Sequence, residues 1–156
     1  MSNSLLTKFI FQLNLIFFIT VFSCFLFAEE ISISSLPTNG KLISGSAEIK
    51  SNLGKMEITQ NSEKTIIGWD TFNVGSKAHV NFSQPSSKSV SLNKVSSADP
   101  SRIYGKLTSN GQVFLQSPGG VIFGKDAKVD VGGLVASTMN INNEDLNSQS
   151  IKFSAN

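Results

Sequence analysis

The sequence predicts an all-β protein, and the spacing of its strands favours a parallel β-helix. From Glu29 onward there is no long helical period. Short runs rich in β-formers instead alternate with clusters of Gly, Asn, Ser and Pro. Strong helix formers are scarce, and charged residues make up only 15% of the chain, against about 25% in typical soluble domains.

The candidate strands are short and closely spaced. Each turn between them contains glycine, and three of the five contain an Asn-Gly or Gly-Gly pair, which accepts a positive φ at little cost. The predicted turns are residues 38–40, 52–54, 74–76, 109–111 and 117–120. The predicted strands are residues 47–50, 56–60, 65–69, 78–82, 89–94, 103–107, 113–115, 120–123, 128–131 and 134–136.

Two β architectures fit this spacing, a sandwich or barrel and a solenoid. Strand-like triplets at residues 121–123, 129–131 and 134–136 recur with few residues between them, and this rhythm favours the solenoid. An open solenoid end exposes unpaired backbone groups. We therefore expect an amino-terminal cap, with residues 31–34 and 41–44 as its candidates.

The first 28 residues form a different kind of segment. Seven of the twelve Phe fall before residue 28, Lys8 is the only charge there, and Ala28 is followed by Glu29 and Glu30. A basic end, an apolar run and a small residue are typical of a secretory signal peptide. We predict a signal peptide at residues 1–28 and one β-rich domain at residues 29–156, which we expect to be the amino-terminal part of a longer module.

Two other interpretations of this segment were weighed. The 19-residue apolar run from Phe9 to Phe27 is long enough for a transmembrane anchor, but Gln12 and Asn14 interrupt it and no basic cluster follows. The residues before Cys24 loosely resemble a lipoprotein attachment box. Cleavage after Ala28 is favoured over both, and it would leave a mature chain without cysteine.

Composition excludes several classes of function. After residue 28 the chain keeps 12 of the 13 basic residues and all 11 acidic ones, which argues against a nucleic-acid binder. A single Cys and a single His exclude a disulfide framework and a Cys/His zinc site. We therefore predict no catalytic residue, no metal and no cofactor.

Three motifs imitate catalytic or ligand sites. Residues 119–126 resemble a phosphate-binding loop, but Asp126 replaces the required Ser or Thr, and a strand followed by a glycine turn is the better interpretation. The lone His79 is expected to be a surface or hydrogen-bonded residue. Asp126 and Asp130 would share a face if both lay in one strand. They support the alternative function, a secreted β-helix enzyme acting on polysaccharide.

Several segments, taken together and in order, resemble the amino-terminal secretion domain of filamentous-haemagglutinin-type exoproteins. These are the passengers of two-partner secretion in Gram-negative bacteria. The resemblance runs from about Leu36 to about Asn142. The segments that carry it are residues 36–40, 66–75, 80–85, 92–95, 99–103, 111–115, 117–124 and 132–138, with Gly105.

The resemblance implies a right-handed parallel β-helix. It also implies export by the inner-membrane machinery, recognition in the periplasm by the POTRA domains of an outer-membrane β-barrel transporter, and a secreted or cell-surface location. Family passengers are adhesins, haemolysins or contact-dependent toxins. Contact with a host cell surface would come through a passenger region beyond this chain.

The family's signature turn is usually Asn-Pro-Asn-Gly, and Ser117, Pro118, Gly119 and Gly120 occupy its place here. Pro118 sets φ near −65°, and both glycines allow a positive φ. We predict that this turn is the recognition element for the transporter, and that asparagine at positions 117 and 119 would restore the family turn.

A second predicted recognition segment contains Trp69, Phe72 and Asn73. Trp69 and Phe72 are the strongest aromatic cluster after the signal segment, and such clusters usually form a core or cap a solenoid end. From the resemblance we expect a secretion and interaction module that docks on its transporter and templates the folding of the β-helix outside the cell.

Overall fold

The computed structural model describes residues 30–143 and the backbone of residues 153–154. The predicted signal peptide at residues 1–28 lies outside the described residues. Within them all regular structure is β, so no helix there is long and apolar enough to cross a membrane.

Fourteen strands are assigned in the described residues, and most are three to six residues long. They are β1 Lys41–Ser44, β2 Ala47–Asn52, β3 Lys55–Gln60, β4 Lys64–Trp69, β5 His79–Ser83, β6 Val90–Val95, β7 Ser101–Ile103, β8 Lys106–Ser109, β9 Gln112–Gln116, β10 Val121–Phe123, β11 Lys128–Asp130, β12 Gly133–Ser137, β13 Asn140–Ile141 and β14 Phe153–Ser154.

These strands wind into a β-solenoid of about four coils. A first sheet has the order β1-β4-β6-β9-β12 and a second has the order β11-β8-β5-β3-β2. A third, narrower face pairs β7 with β10, and Val74 bridges to Ile103 at its start. Strands of successive coils pair in parallel on all three faces, which confirms the predicted parallel β-helix.

The amino-terminal end is capped by antiparallel strands. β1 lies against β4, and β2 forms a hairpin with β3, so the first coil has a pairing partner on both wide sheets. Residues 31–35 cover the nearby corner, where the backbone amides of Gly75 and Lys77 donate to the carbonyls of Ser35 and Ile33, at 2.9 and 2.8 Å. The predicted cap segments therefore both lie in the cap.

The interior is filled by columns of side chains that run across the coils. In the second sheet Met56, Val80 and Leu107 lie side by side in register and are buried. In the first sheet the column Ile67, Asn93 and Leu115 is also buried. Alternate residues of each strand face inward. Because the strands of successive coils pair in parallel, each coil adds one inward side chain to the same column.

The first sheet also buries its outer face. Ile66, Leu92 and Phe114 form an apolar column on this side, and Leu92 has no exposed surface. Ile141, the second residue of β13, packs against the column, and its backbone amide donates to Oε1 of Gln116 at 3.1 Å. A short segment outside the solenoid therefore covers part of the first sheet.

One predicted strand is wrong. Residues 103–107 were expected to form a single strand, but the chain turns a corner between β7 and β8 at Tyr104 and Gly105. The amides of both residues donate to the carbonyl of Val74 in the preceding coil, at 2.8 and 3.1 Å. A Cβ on Gly105 would overlap the carbonyl oxygen of Gly75. Contacts with the preceding coil therefore place this corner.

Candidate functional site

The predicted recognition turn connects β9 to β10 and is held by backbone hydrogen bonds. The amide of Gly120 donates to the carbonyl of Ser117 and closes the turn, at 2.9 Å. The amide of Ser117 donates to the carbonyl of Ser137 in the next coil, and the amide of Ser101 in the preceding coil donates to Gly120, both at 2.9 Å. The turn is thus fixed from both sides.

The side chains of the turn face in different directions. Ser117 has no exposed surface, and its hydroxyl accepts a hydrogen bond from the buried hydroxyl of Ser101 at 3.0 Å. Pro118 is exposed, whereas Gly119 and Gly120 are half-buried. The surface offered to a partner is therefore the proline ring and the glycine backbone.

The two glycines of the turn are needed for different reasons. Gly120 has a φ of +89°, and no other atom lies within 4 Å of the place where its Cβ would be. Gly119 is not among the glycines with positive φ, but a Cβ there would overlap the backbone of Ala98 and Asp99. An asparagine at position 119 would therefore displace this backbone, contrary to the expectation that it simply restores the family turn.

The second predicted segment lies in the core. Trp69 is 2% exposed and Phe72 is fully buried, with their rings edge-to-face at 5.6 Å between centroids. Trp69 Nε1 donates to Oδ1 of the buried Asn93 at 3.0 Å. The Oδ1 atom of Asn73 accepts a hydrogen bond from the amide of Arg102 at 2.8 Å. These side chains order the corner after β4 from inside.

The two predicted segments stack on the same corner of the solenoid, with residues 96–100 between them. The amides of Ser96 and Ser97 donate to the carbonyls of Trp69 and Asp70, at 2.9 and 3.0 Å. On its other side, the loop packs through Ala98 and Asp99 against Gly119. We call residues 69–73, 96–100 and 117–120 the stacked corner. The site prediction omitted the middle loop, although Asp99 and Pro100 belong to the family pattern.

At the carboxy-terminal end of the solenoid, the described strands have unpaired outer sides. β10, β11 and β12 each end the hydrogen-bonded order of their sheet within the described residues. Their apolar side chains are also uncovered: Ile122 is 45% exposed, Val129 37% and Leu134 39%. We call these three strands the open end. Among residues 30–143 no further strand pairs with this edge, and apolar surface lies beside it, which is the chemistry of strand addition.

The other motifs of the sequence lie elsewhere. Residues 121–123 of the phosphate-loop imitation form β10, as the strand interpretation predicts. Asp126 lies in the turn before β11 and Asp130 within β11, so they do not share a strand. Among the described residues no group of His, Cys, Asp and Glu is arranged to hold a metal.

His79 lies on the outer face of the second sheet, where its Nε2 is 2.8 Å from Oγ1 of Thr108. Burial lowers the pKa of its imidazole, and the nearby Lys106 ammonium lowers it further. The hydrogen bond and the half-buried position match the prediction of a satisfied surface residue.

Comparison with known proteins identifies relatives of most of the chain. Residues 28–156 match the family model of the TPS secretion domain. Two Haemophilus influenzae proteins named heme/hemopexin-binding protein, one of them from strain KW20, are 38% and 36% identical over 92% and 84% of this chain. The chain spans only 15% and 14% of their lengths.

A solved structure has the same fold. The crystal structure of the HMW1 secretion domain from Haemophilus influenzae superposes with a TM-score of 0.72 at 33% identity. The match covers 77% of this chain and 32% of that structure.

Proposed function

This chain belongs to the TPS secretion domain family, and from that membership we propose that it docks on the POTRA domains of an outer-membrane two-partner secretion transporter. The family consists of secretion domains of exported proteins and is not an enzyme family. The proposed route runs through the inner-membrane export machinery and the periplasm, and ends outside the cell or on its surface.

The observation that carries the proposal is the stacked corner, where backbone hydrogen bonds hold the turn at residues 117–120 and Pro118 is exposed. Within the described residues, antiparallel cap strands close the amino-terminal end, and the outer sides of β10, β11 and β12 have no further strand but carry exposed apolar side chains. An extended segment of a partner can add to such an edge through main-chain hydrogen bonds. The same edge can template a following coil, because each coil of a solenoid contacts only its neighbours.

The stacked corner lies next to this open end and is the proposed recognition element. Pro118 is its exposed side chain in the turn, and Gly120 sets the direction in which the chain enters β10. We propose that Trp69, Phe72 and Asn73 contribute from inside, since their buried contacts order the corner on which the turn stacks.

The name of the two relatives describes whole proteins, of which this chain spans only 15% and 14%. Both are named for binding heme or hemopexin. We propose a haem-acquisition role for the passenger that this secretion domain accompanies. Within the described residues the single imidazole, His79, is half-buried and hydrogen-bonded to Thr108, so we assign no haem site to the solenoid.

A binding titration with two glycine variants tests the docking proposal. Gly120→Val places a β-branched residue at a φ of +89° in the turn, where it is strained. Gly54→Val imposes the same kind of strain at a φ of +78° in the β2–β3 hairpin of the cap, and is the matched control. Purified POTRA domains of the cognate transporter are titrated with each variant after circular dichroism has confirmed folding.

We expect Gly120→Val to weaken binding at least about tenfold, equivalent to about 1.4 kcal/mol, and Gly54→Val to leave it near that of the parent. Equal affinities for the two variants would remove the turn from the docking site.

A second pair of variants tests the strand edge of the open end separately from the turn. Val129→Lys puts a charge on the inward row of β11 and should weaken binding, whereas Lys128→Gln on its outward row should not.

A further inference from the structure

A cleft of about 330 Å³ opens where the cap meets the first sheet. Its volume lies near the lower limit of small-molecule sites, which is about 300 Å³. Strands β1, β4 and β6 form its floor, and the corner residues Asp70 and Ser96 close one end.

The cleft exists because a glycine stands between two lysines. Lys41, Gly68 and Lys94 are paired in register across β1, β4 and β6. Since neighbouring strands lie about 4.8 Å apart, the two lysine Cα atoms are separated by about 10 Å. Gly68 has no side chain, and only the end of Ile43 reaches over it, so both flexible lysine stems can bring their ammonium groups to one ligand that rests on Ile43.

Both ammonium groups lack a partner in the described part of the chain. Neither Lys41 nor Lys94 forms an ion pair or hydrogen bond there. Lys94 is half-buried, and this burial lowers the pKa of its ammonium group. A partly desolvated cation without a counter-charge is unfavourable, so an anion entering the cleft would relieve this cost.

The remaining walls combine hydroxyl-binding groups with an apolar surface. The Asp70 carboxylate accepts a hydrogen bond from Nδ2 of Asn39 at 2.6 Å and is otherwise open to solvent. Ser96 is also exposed beside it. On the other side Ile43 is 52% exposed and lies over the place of a Gly68 Cβ, with Cδ1 at 3.1 Å.

A ligand complementary to this cleft is a small molecule that carries a negative group, several hydroxyls and an apolar face. We propose that the cleft binds an acidic sugar unit, with its carboxylate between Lys41 and Lys94, its hydroxyls at Asp70 and Ser96, and its C–H face against Ile43. This site shares Asp70 and Ser96 with the stacked corner but lies on its cap side, away from the open end. Its ligand requires no transporter.

The chain contains a single tryptophan, Trp69, and it lines the cleft. Titration with D-glucuronate should therefore give a saturable change in tryptophan fluorescence, and isothermal titration calorimetry supplies an independent affinity. D-Glucose is the neutral match of the same ring size, and sodium sulfate tests for a simple anion site. We expect glucuronate to bind at least about tenfold more tightly than either probe.

Three variants locate the binding. The double variant Lys41→Gln, Lys94→Gln should abolish glucuronate binding, and Gly68→Ala should weaken it because a methyl group enters the gap. Lys106→Gln, on the outer face of the second sheet, removes the same charge elsewhere and should leave binding unchanged.

Equal binding of glucose or sulfate would overturn the proposal, as would equal losses in Lys106→Gln and the cleft variants. Should the double lysine variant fail to fold, Gly68→Ala retains both charges and still tests the site. No transporter takes part in these measurements, so their failure leaves the docking proposal untouched.

Discussion

The two glycines of the 117–120 turn allow a sharp test, because the structure requires each for a different reason. Gly119→Ala adds a Cβ that overlaps the backbone of Ala98 and Asp99. Gly120→Ala adds a Cβ into open space, but at a φ of +89°. The stability loss in Gly119→Ala should therefore come from a steric clash, and the loss in Gly120→Ala from backbone conformation alone.

The magnitudes differ enough to be measured. An L-residue in the left-handed region costs about 1–2 kcal/mol, and alanine recovers about 0.4–1 kcal/mol through the unfolded state. Gly120→Ala should thus lower the free energy of unfolding by about 1 kcal/mol. Overpacking costs about 1–3 kcal/mol. Gly119→Ala belongs at the upper end, since its obstacle is backbone rather than a movable side chain.

Urea unfolding followed by circular dichroism measures both. The unfolded-state contribution of alanine is the same at both positions and cancels, so the two variants differ by about 1–2 kcal/mol. With a slope of about 2 kcal/mol/M, this difference separates the two midpoints by about 0.5–1 M, with Gly119→Ala unfolding first. The parent protein and Gly54→Ala serve as references, because Gly54 also has a positive φ and its Cβ would meet only ordinary van der Waals contacts. A midpoint for Gly120→Ala at or below that of Gly119→Ala would refute the steric account of the turn.

Three further outcomes follow from buried and titrating groups. Asn93→Leu should cost about 1–3 kcal/mol in urea unfolding because it leaves the buried Trp69 N–H without an acceptor; an unchanged midpoint would contradict this. Phe114→Ala should cost about 3 kcal/mol or more if the outer face of the first sheet is a true core, and a loss below about 1 kcal/mol would indicate a surface residue. The pKa of His79 is lower in the folded state than in the unfolded chain, so the unfolded chain binds a proton more readily. The free energy of unfolding should therefore fall as the pH drops below about 6.5, the pKa of an unperturbed His, towards the folded-state pKa. His79→Gln should reduce this loss between pH 7.5 and pH 5.5, and an unchanged pH dependence would show that His79 does not contribute to it.

The local parts of the fold are predictable because turns and strands depend on nearby residues. Asn-Gly and Gly-Gly pairs mark the turns, and most predicted strands agree with the observed ones within one or two residues. The prediction of one strand at residues 103–107 failed because contacts with Val74 and Gly75 of the preceding coil determine the corner at Gly105. No local pattern reports a contact of that kind.

The candidate site was predictable only in part. The sequence identifies the turn at residues 117–120, but the stacking of this turn on residues 96–100 depends on the lengths of whole coils. The burial of both faces of the first sheet did leave a signal. Continuous apolar runs such as Ile66-Ile67 and Val113-Phe114-Leu115 are typical of strands covered on both sides. The cleft beside Gly68 left no signal in the sequence, because it depends on the strand register that places Gly68 between Lys41 and Lys94.

The closed cap at one end of the solenoid makes damage to this molecule directional. Every coil rests on the one before it in the chain, and the cap supplies the foundation for the first. A lesion in the third coil, such as a bulky residue at Gly119, leaves the first two coils with the cap and with each other. A lesion in the paired strands β2 and β3, away from the tight turn at Gly54, removes the base on which every later coil is laid. Substitutions should therefore be tolerated better the further along the chain they fall, a gradient that proteolytic mapping of partly folded variants would reveal as protected fragments that all begin in the cap.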